Sequence, residues 1–239
     1  MAASGASGPD YGDILAKGVR RAVAHAVPTI TGGRLDSLMA ELFGVADSAP
    51  TALVARDPPS CAIDCKAGCA HCCVVYVQVT PLEALHIARS LLARPADEVA
   101  ALRKRVAAAH AKTAGRDAHD RIILAQPCPL LVDSRCSVYL DRPFACRGAN
   151  SADVDACRKG FTSPGGVQLP TFVHQTTVYA AVGQGTAKGL SDAGVRSNLL
   201  ELIAALHLAL AHDDPVAAWQ SGNLDFTPAR CVMAQHKQP

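Results

Sequence analysis

Cys65-Lys66-Ala67-Gly68-Cys69-Ala70-His71-Cys72-Cys73 packs four cysteines into nine residues, and three more follow at Cys128, Cys136 and Cys146. Disulfides are rare in reducing compartments, so without a secretion signal this density of thiols reads as metal or redox chemistry rather than a cross-linked scaffold. At 100° per residue the four thiols of the first stretch fall within about a 100° arc, so a helix would aim them all one way. A turn at Gly68 would achieve a similar convergence. Either way one short segment cannot surround a metal. The second set, Cys128, Cys136, Cys146 and with them Cys157, is placed to supply the other directions.

Two metals suit such ligands. Zinc takes four thiolates in closed tetrahedral sites. Iron–sulfur clusters also take four cysteines, often several from one short segment and one from afar. The close Cys69-x-x-Cys72-Cys73 spacing departs from the paired Cys-x-x-Cys knuckles of zinc ribbons and leans the reading towards an iron–sulfur cluster or iron, with zinc as the alternative. His71 lies inside the cluster, and its flanking cysteines already suffice as ligands; its expected role is to hydrogen-bond the ligands from behind. Cys61 and Cys231 read as small buried hydrophobes.

Outward from the cluster the chain is expected to be mainly α, with helices packed around an irregular cysteine-rich metal-binding lobe. Half of the 239 residues are hydrophobic (49%) and only 4% aromatic, with alanine and leucine dominant, a composition that favours helices and suffices for a core. The best local signal is Thr80-Pro81-Leu82-Glu83: a threonine cap, proline at the first helical position, and a glutamate able to reach back. It predicts a helix to about Leu92. Periodicity predicts others over about Tyr11–Ala26 (Ile14, Leu15, Val19 and Val23 on one face), Leu35–Phe43, Ala96–Lys112, Thr171–Lys188 and Arg196–His212, and a short one after Asp214-Pro215. Pro28 and the Gly32-Gly33 pair read as breakers, Val74–Val79 as extended, and Pro127–Gly160 as irregular chain organised by its ligands.

These readings divide the chain into a tail (1–10), an N-terminal helical segment (11–60), a cysteine-cluster metal-binding domain (61–160), and a C-terminal helical segment (161–239) packed on the same core. The net charge is +2, and the short run Arg103-Lys104-Arg105 sits in a helical pattern, so nothing argues for a nucleic-acid partner. The most apolar stretch, Leu199–Ala211, is 13 residues long against the ~20 a membrane span needs. No membrane partner and a cytoplasmic location are therefore expected. A protein or redox partner is left unspecified. The chain carries no Gly-rich phosphate loop, G-x-S-x-G elbow or H-E-x-x-H helix; beside a role in metal or electron handling, an iron–sulfur enzyme and a structural-zinc interaction module stay open.

Cys65-x-x-x-Cys69-x-x-Cys72-Cys73, Val79-Thr80-Pro81 with Glu83, Cys128-Pro129-Leu130-Leu131, Cys136-Ser137-Val138-Tyr139 and Asp141-Arg142-Pro143-Phe144-Ala145-Cys146-Arg147, in this order, resemble the YkgJ-type cysteine-cluster family, whose domain chelates zinc or iron. The stretch Asn198–Phe226 is similar to the C-terminal part of longer bacterial members. The resemblance implies metal ligands among Cys65, Cys69, Cys72, Cys73, Cys128, Cys136 and Cys146, with Cys157 a less secure eighth. Flagellin lysine methylases are distant relatives with a similar cysteine set and an iron–sulfur cluster, a kinship that does not carry their reaction across. Arg142 and Arg147 have two readings. As cofactor-binding groups they would offset thiolate charge and donate hydrogen bonds to sulfur. Alternatively, Arg142 forms a surface pair with Asp141 or Glu83.

Overall fold

The computed structural model describes residues 11–56, 62–66, 68–160, 169–195 and 199–232, the side chains of 50–56 excepted; Cys61 lies outside the described residues. Among the described residues the fold is mainly helical, with two short antiparallel strand pairs.

Helix α1 (Tyr11–Ala26) has the expected bounds, and Val19 and Val23 are buried, but Ile14 turns out to solvent. A 3-10 turn over Val27–Thr29, with proline inside it, leads to α2 (Gly32–Arg56). Pro28 breaks the chain as expected, but the Gly32-Gly33 pair does not, and the expected end at Phe43 is also wrong. Gly32 is not a breaker: a Cβ there would lie 2.1 Å from the Arg89 guanidinium, so glycine makes room for a long-range contact inside the first helical turn. Leu35, Leu38, Met39, Leu42, Phe43, Ala46 and Ala49 then continue the buried stripe well beyond Phe43.

Strand β1 (Gln78–Val79) is all that remains of the expected extended stretch. It ends at Thr80, which caps α3 (Pro81–Leu92) with both bonds of the capping box present. Six apolar residues of α3 are fully buried, Leu82, Ala84, Leu85, Ile87, Ala88 and Leu91, so this helix is the centre of the core rather than an amphipathic cover. Helix α4 (Ala96–Thr113) follows, then α5 (Ala118–Leu124), which periodicity does not reveal. It is short, and its signals are local: Asp117 accepts the Asp120 N–H at the start, and Ala125 ends it at φ 48°.

The 127–160 region contains more regular structure than expected. Strands β2 (Leu131–Val132) and β3 (Arg135–Cys136) form a hairpin whose two loop residues, Asp133 and Ser134, are both left-handed (φ 49° and 59°), as a tight type I′ connection requires. Helices α6 (Phe144–Gly148) and α7 (Val154–Gly160) complete it.

Helix α8 (Val173–Asp192) lies against α1 at close range. Gly185 and Gly189 permit this, since a Cβ at either would come within 2.6 Å of the Ala16 or Arg20 carbonyl oxygen. The helix expected over Arg196–His212 is shorter: β4 (Leu200–Glu201) pairs antiparallel with β1, and α9 (Leu202–Ala209) starts only after it. The extended chain at 200–201 completes β1, a pairing that sequence periodicity does not register. Helix α10 (Pro215–Gln220) is capped by Asp214 as expected. One hydrophobic cluster runs from Val19 to Ala229, with α3 and α9 at its middle.

Candidate metal centre

The Cys65–Cys73 stretch folds as consecutive turns and not as a helix. Cys69 N donates to Lys66 O (3.0 Å), Cys73 N to Ala70 O (3.0 Å) and Val75 N to Cys72 O (3.3 Å). Gly68 stands at φ 91°, where a side chain would be strained. The stretch is tied to its distant partners at both ends. Asp64 N donates to Ser151 O (2.9 Å) and Ser151 N to Cys65 Sγ (3.2 Å), while Cys128 N donates to Cys73 O at 2.7 Å.

Three further elements bring in the remaining thiols. Cys128 opens the β2–β3 hairpin, Cys136 closes it, and Cys146 rides on α6. The start of α6 is fixed from the core, where Glu83 Oε1 accepts the Phe144 N–H at 2.8 Å. As a result Cys65, Cys69, Cys72, Cys73, Cys128, Cys136 and Cys146 line a single cavity of about 430 Å³, together with Arg142 and an apolar wall that includes Val75, Val77, Leu130 and Ile203. Cys65 and Cys72 lie at the exposed side, and the other five are half-buried. All nine described cysteines are free thiols. Among the described residues no three His, Cys, Asp or Glu side chains converge tightly enough to hold one ion as they stand.

The electrostatics favour protonated thiols in the metal-free chain. Burial pushes Cys146 up strongly, with Cys128, Cys72 and Cys136 close enough to oppose a further negative charge. Burial also raises Cys128, to about 11. The S–H of Cys72 is engaged by Cys73, and this with burial raises it well above its ordinary value. Burial raises Cys136, against the opposing pull of Arg142 and Arg94. A cation is what would reverse these shifts, since thiolates rather than thiols ligate metals and their protons leave on binding. The donor set therefore fits a thiophilic metal or cluster.

The two arginines part company. Arg142 is in the cavity wall, its guanidinium 3.9 Å from the Tyr139 ring centroid and near enough to Cys72 and Cys136 to favour their ionised forms. Among the described residues it has no ion pair with Asp141 or Glu83, whose carboxylates face other donors. Arg147 faces elsewhere: its guanidinium pairs with Asp47 at 2.9 Å, covers the Phe43 ring and donates to the Leu140 and Arg142 carbonyls. Its place next to Cys146 in sequence is misleading, because successive residues on a helix point about 100° apart. Cys157 is buried on α7, close to Cys65 but outside the cavity wall, and His71 is outside it as well.

Sequence reasoning missed an ion pair in the same wall. Arg121 (1% exposed) donates to Glu201 at 3.2 Å, and burial raises the Glu201 carboxyl above its ordinary value. Only the pairing of β4 with β1, which is long-range, brings Glu201 here.

Residues 64–163, 100 of the 239, match the family model CxxCxxCC, described as "Putative zinc- or iron-chelating domain". Over those residues the chain is similar to a zinc- or iron-chelating domain, in agreement with the resemblance that the order of its motifs carries. Its first gap is one residue longer than the family's name spells, three residues separating Cys65 from Cys69, so Cys65 is the thiol whose role the match defines least. No curated protein and no solved structure matches the chain. No helix among the described residues is long and apolar enough to cross a membrane.

Proposed function

We propose that the cysteine-rich segment holds an iron–sulfur cluster, with ligands drawn from the seven cysteines that share one cavity. That shared cavity is the observation on which the reading rests. A single zinc ion needs four sulfurs at about 2.3 Å from one centre. Seven thiols on one cavity exceed the four a single zinc takes, and the close Cys69-x-x-Cys72-Cys73 spacing departs from paired Cys-x-x-Cys zinc knuckles; both favour a cluster. Cys146 lies within electrostatic reach of Cys128, Cys72 and Cys136 at once, so these four are the favoured set. Cys65, Cys69 and Cys73 are the remaining donors.

When bound, such a cluster supplies one-electron chemistry. The chain's own residues supply the rest. Arg142 offsets the excess negative charge of the thiolates. The apolar residues of the wall limit water, and the Arg121–Glu201 pair closes the cavity without adding net charge. Anaerobic purification with iron, sulfide and zinc analysis tests the reading. Iron with acid-labile sulfide and a visible absorption that bleaches on reduction is expected. Colourless protein with stoichiometric zinc would replace the cluster by a structural zinc site, and folded protein free of both metals would remove the metal reading.

A further inference from the structure

Asp141 and Arg142 are neighbours in the chain, yet their side chains serve different elements. The Asp141 carboxylate is turned onto α3, with Oδ1 3.2 Å from His86 Nε2 and Oδ2 accepting from Ser90 Oγ at 2.6 Å. The other ring nitrogen of His86, Nδ1, lies 3.2 Å from Asp36 Oδ1 on α2, and Arg89 donates to the same carboxylate at 3.0 Å. Ionised carboxylates only accept, so both contacts are hydrogen bonds only when both ring nitrogens carry protons. The His86 side chain is 11% exposed, which leaves little water to stand in for either partner. The other charged groups nearby are Glu83 one turn earlier on α3, engaged by Thr80 and Phe144, Arg147 across the Phe43 ring, and Asp214 at the cap of α10 beside Arg89.

Arg142 faces the other way. It stacks on Tyr139 in the cavity wall, and its Nε is buried without a hydrogen-bond partner, one of four such side-chain atoms among the described residues. With Asp141 engaged by α3, the guanidinium has no carboxylate of its own and is left to the thiols.

We infer that His86 is a positioning residue for the metal centre: with Ser90 its ring holds Asp141 on α3 and so keeps Arg142 unpaired and turned to the thiols. The inference rests on the metal reading above. Without the imidazole only Ser90 Oγ would hold the Asp141 carboxylate, and the adjacent guanidinium would compete for it, costing the thiolates a compensating charge.

Two measurements on the full chain test this. In metal-free protein, the Arg142 Nε–H NMR signal should move in His86→Gln as the guanidinium turns towards Asp141, and should return when Asp141→Asn is added. An Arg142 signal indifferent to His86 overturns the inference, and this readout holds whether or not the wall binds metal. In metal-loaded protein, release to a chelator is followed. Arg142→Gln and His86→Gln should each release metal about 10- to 100-fold faster than wild type, with the double variant no faster than either. Asp141→Asn, which removes the competing carboxylate, should release slowly and should restore slow release to His86→Gln. A His86→Gln release rate equal to wild type, or one that Asp141→Asn does not restore, overturns the positioning role. Wild-type protein without metal would instead remove the reading of the centre, and the NMR result alone would decide the role of His86.

Discussion

Glu83 joins the helical core to the metal centre, and replacing it should disturb both. Its Oε2 accepts the Thr80 N–H at 2.7 Å and the Thr80 hydroxyl at 2.8 Å, and its Oε1 accepts the Phe144 N–H at 2.8 Å. Thr80 and Phe144 are buried, at 1% and 2% exposure, so no water replaces a lost partner. Glu83→Ala orphans two buried backbone donors at about 1–3 kcal/mol each. Relief from burying a carboxyl offsets part of this, and a net loss of about 3 kcal/mol is expected. Glu83→Gln keeps the shape: its carbonyl can take Phe144 and its amide can donate to Thr80 Oγ, while the Thr80 N–H and hydroxyl lose their acceptor, at about 1–2 kcal/mol net. The pH dependence has a definite sign. Burial raises the Glu83 carboxyl above its ordinary value, so the stability it contributes is present in acid and declines as pH rises through the folded value. The glutamine deficit should therefore shrink towards alkaline pH. Urea denaturation followed by circular dichroism measures all of this. An alanine variant within about 0.5 kcal/mol of wild type, as for an ordinary surface change, or a glutamine deficit that grows with pH, would refute the reasoning.

Arg121→Met leaves Glu201 buried without its cation and should cost about 3–5 kcal/mol, most of it recovered by also replacing Glu201 with an apolar residue; denaturation of the single and double variants decides. Cys72→Ser and Cys146→Ser should lower bound metal, whereas Cys157→Ala, outside the cavity wall, should leave it in place. Elemental analysis separates these outcomes, and loss of metal in the Cys157 variant alone would redraw the ligand set. Removing metal with a chelator should leave the protection of α3 and α9 amides against hydrogen exchange unchanged while loosening 62–76 and 127–148, because the core cluster holds the helices without any sulfur ligand.

What was legible in the sequence was what local chemistry decides. Thr80-Pro81-Leu82-Glu83 encodes a cap, and α3 starts and stops where it says. Asp214-Pro215 does the same for α10. Where the outcome depends on distant chain, local reading failed. Gly32 looks like a breaker but accommodates Arg89, some 57 residues on. Leu200 and Glu201 look helical, yet they complete β1 and so leave α9 to begin later. Helix α5 is too short for its periodicity to stand out, although Asp117 marks its start.

The site divides along the same line. The thiols were legible because so many cysteines in so short a stretch have few uses besides metal or redox chemistry, so their density is informative even without a fold. The groups that govern charge at the thiols were not, because arginine, glutamate and histidine have many other uses and only geometry selects among them. Arg142 and Arg147 are equally plausible in sequence, but Arg142, in extended chain before α6, lines the cavity, whereas Arg147, on α6, is turned to Asp47. Arg121, Glu201 and His86 carry no local signal, and each acquires its role from a partner at least 50 residues away. None of these links passes through sulfur. Glu83 to Phe144, Cys128 N–H to Cys73 carbonyl, β1 to β4 and Asp141 to α3 each draw a cysteine-bearing segment to the same place from a separately stabilised core. The frame of the cavity is thus set by the core, so a metal bound there would have to displace protons from the thiols but not to fold the helices.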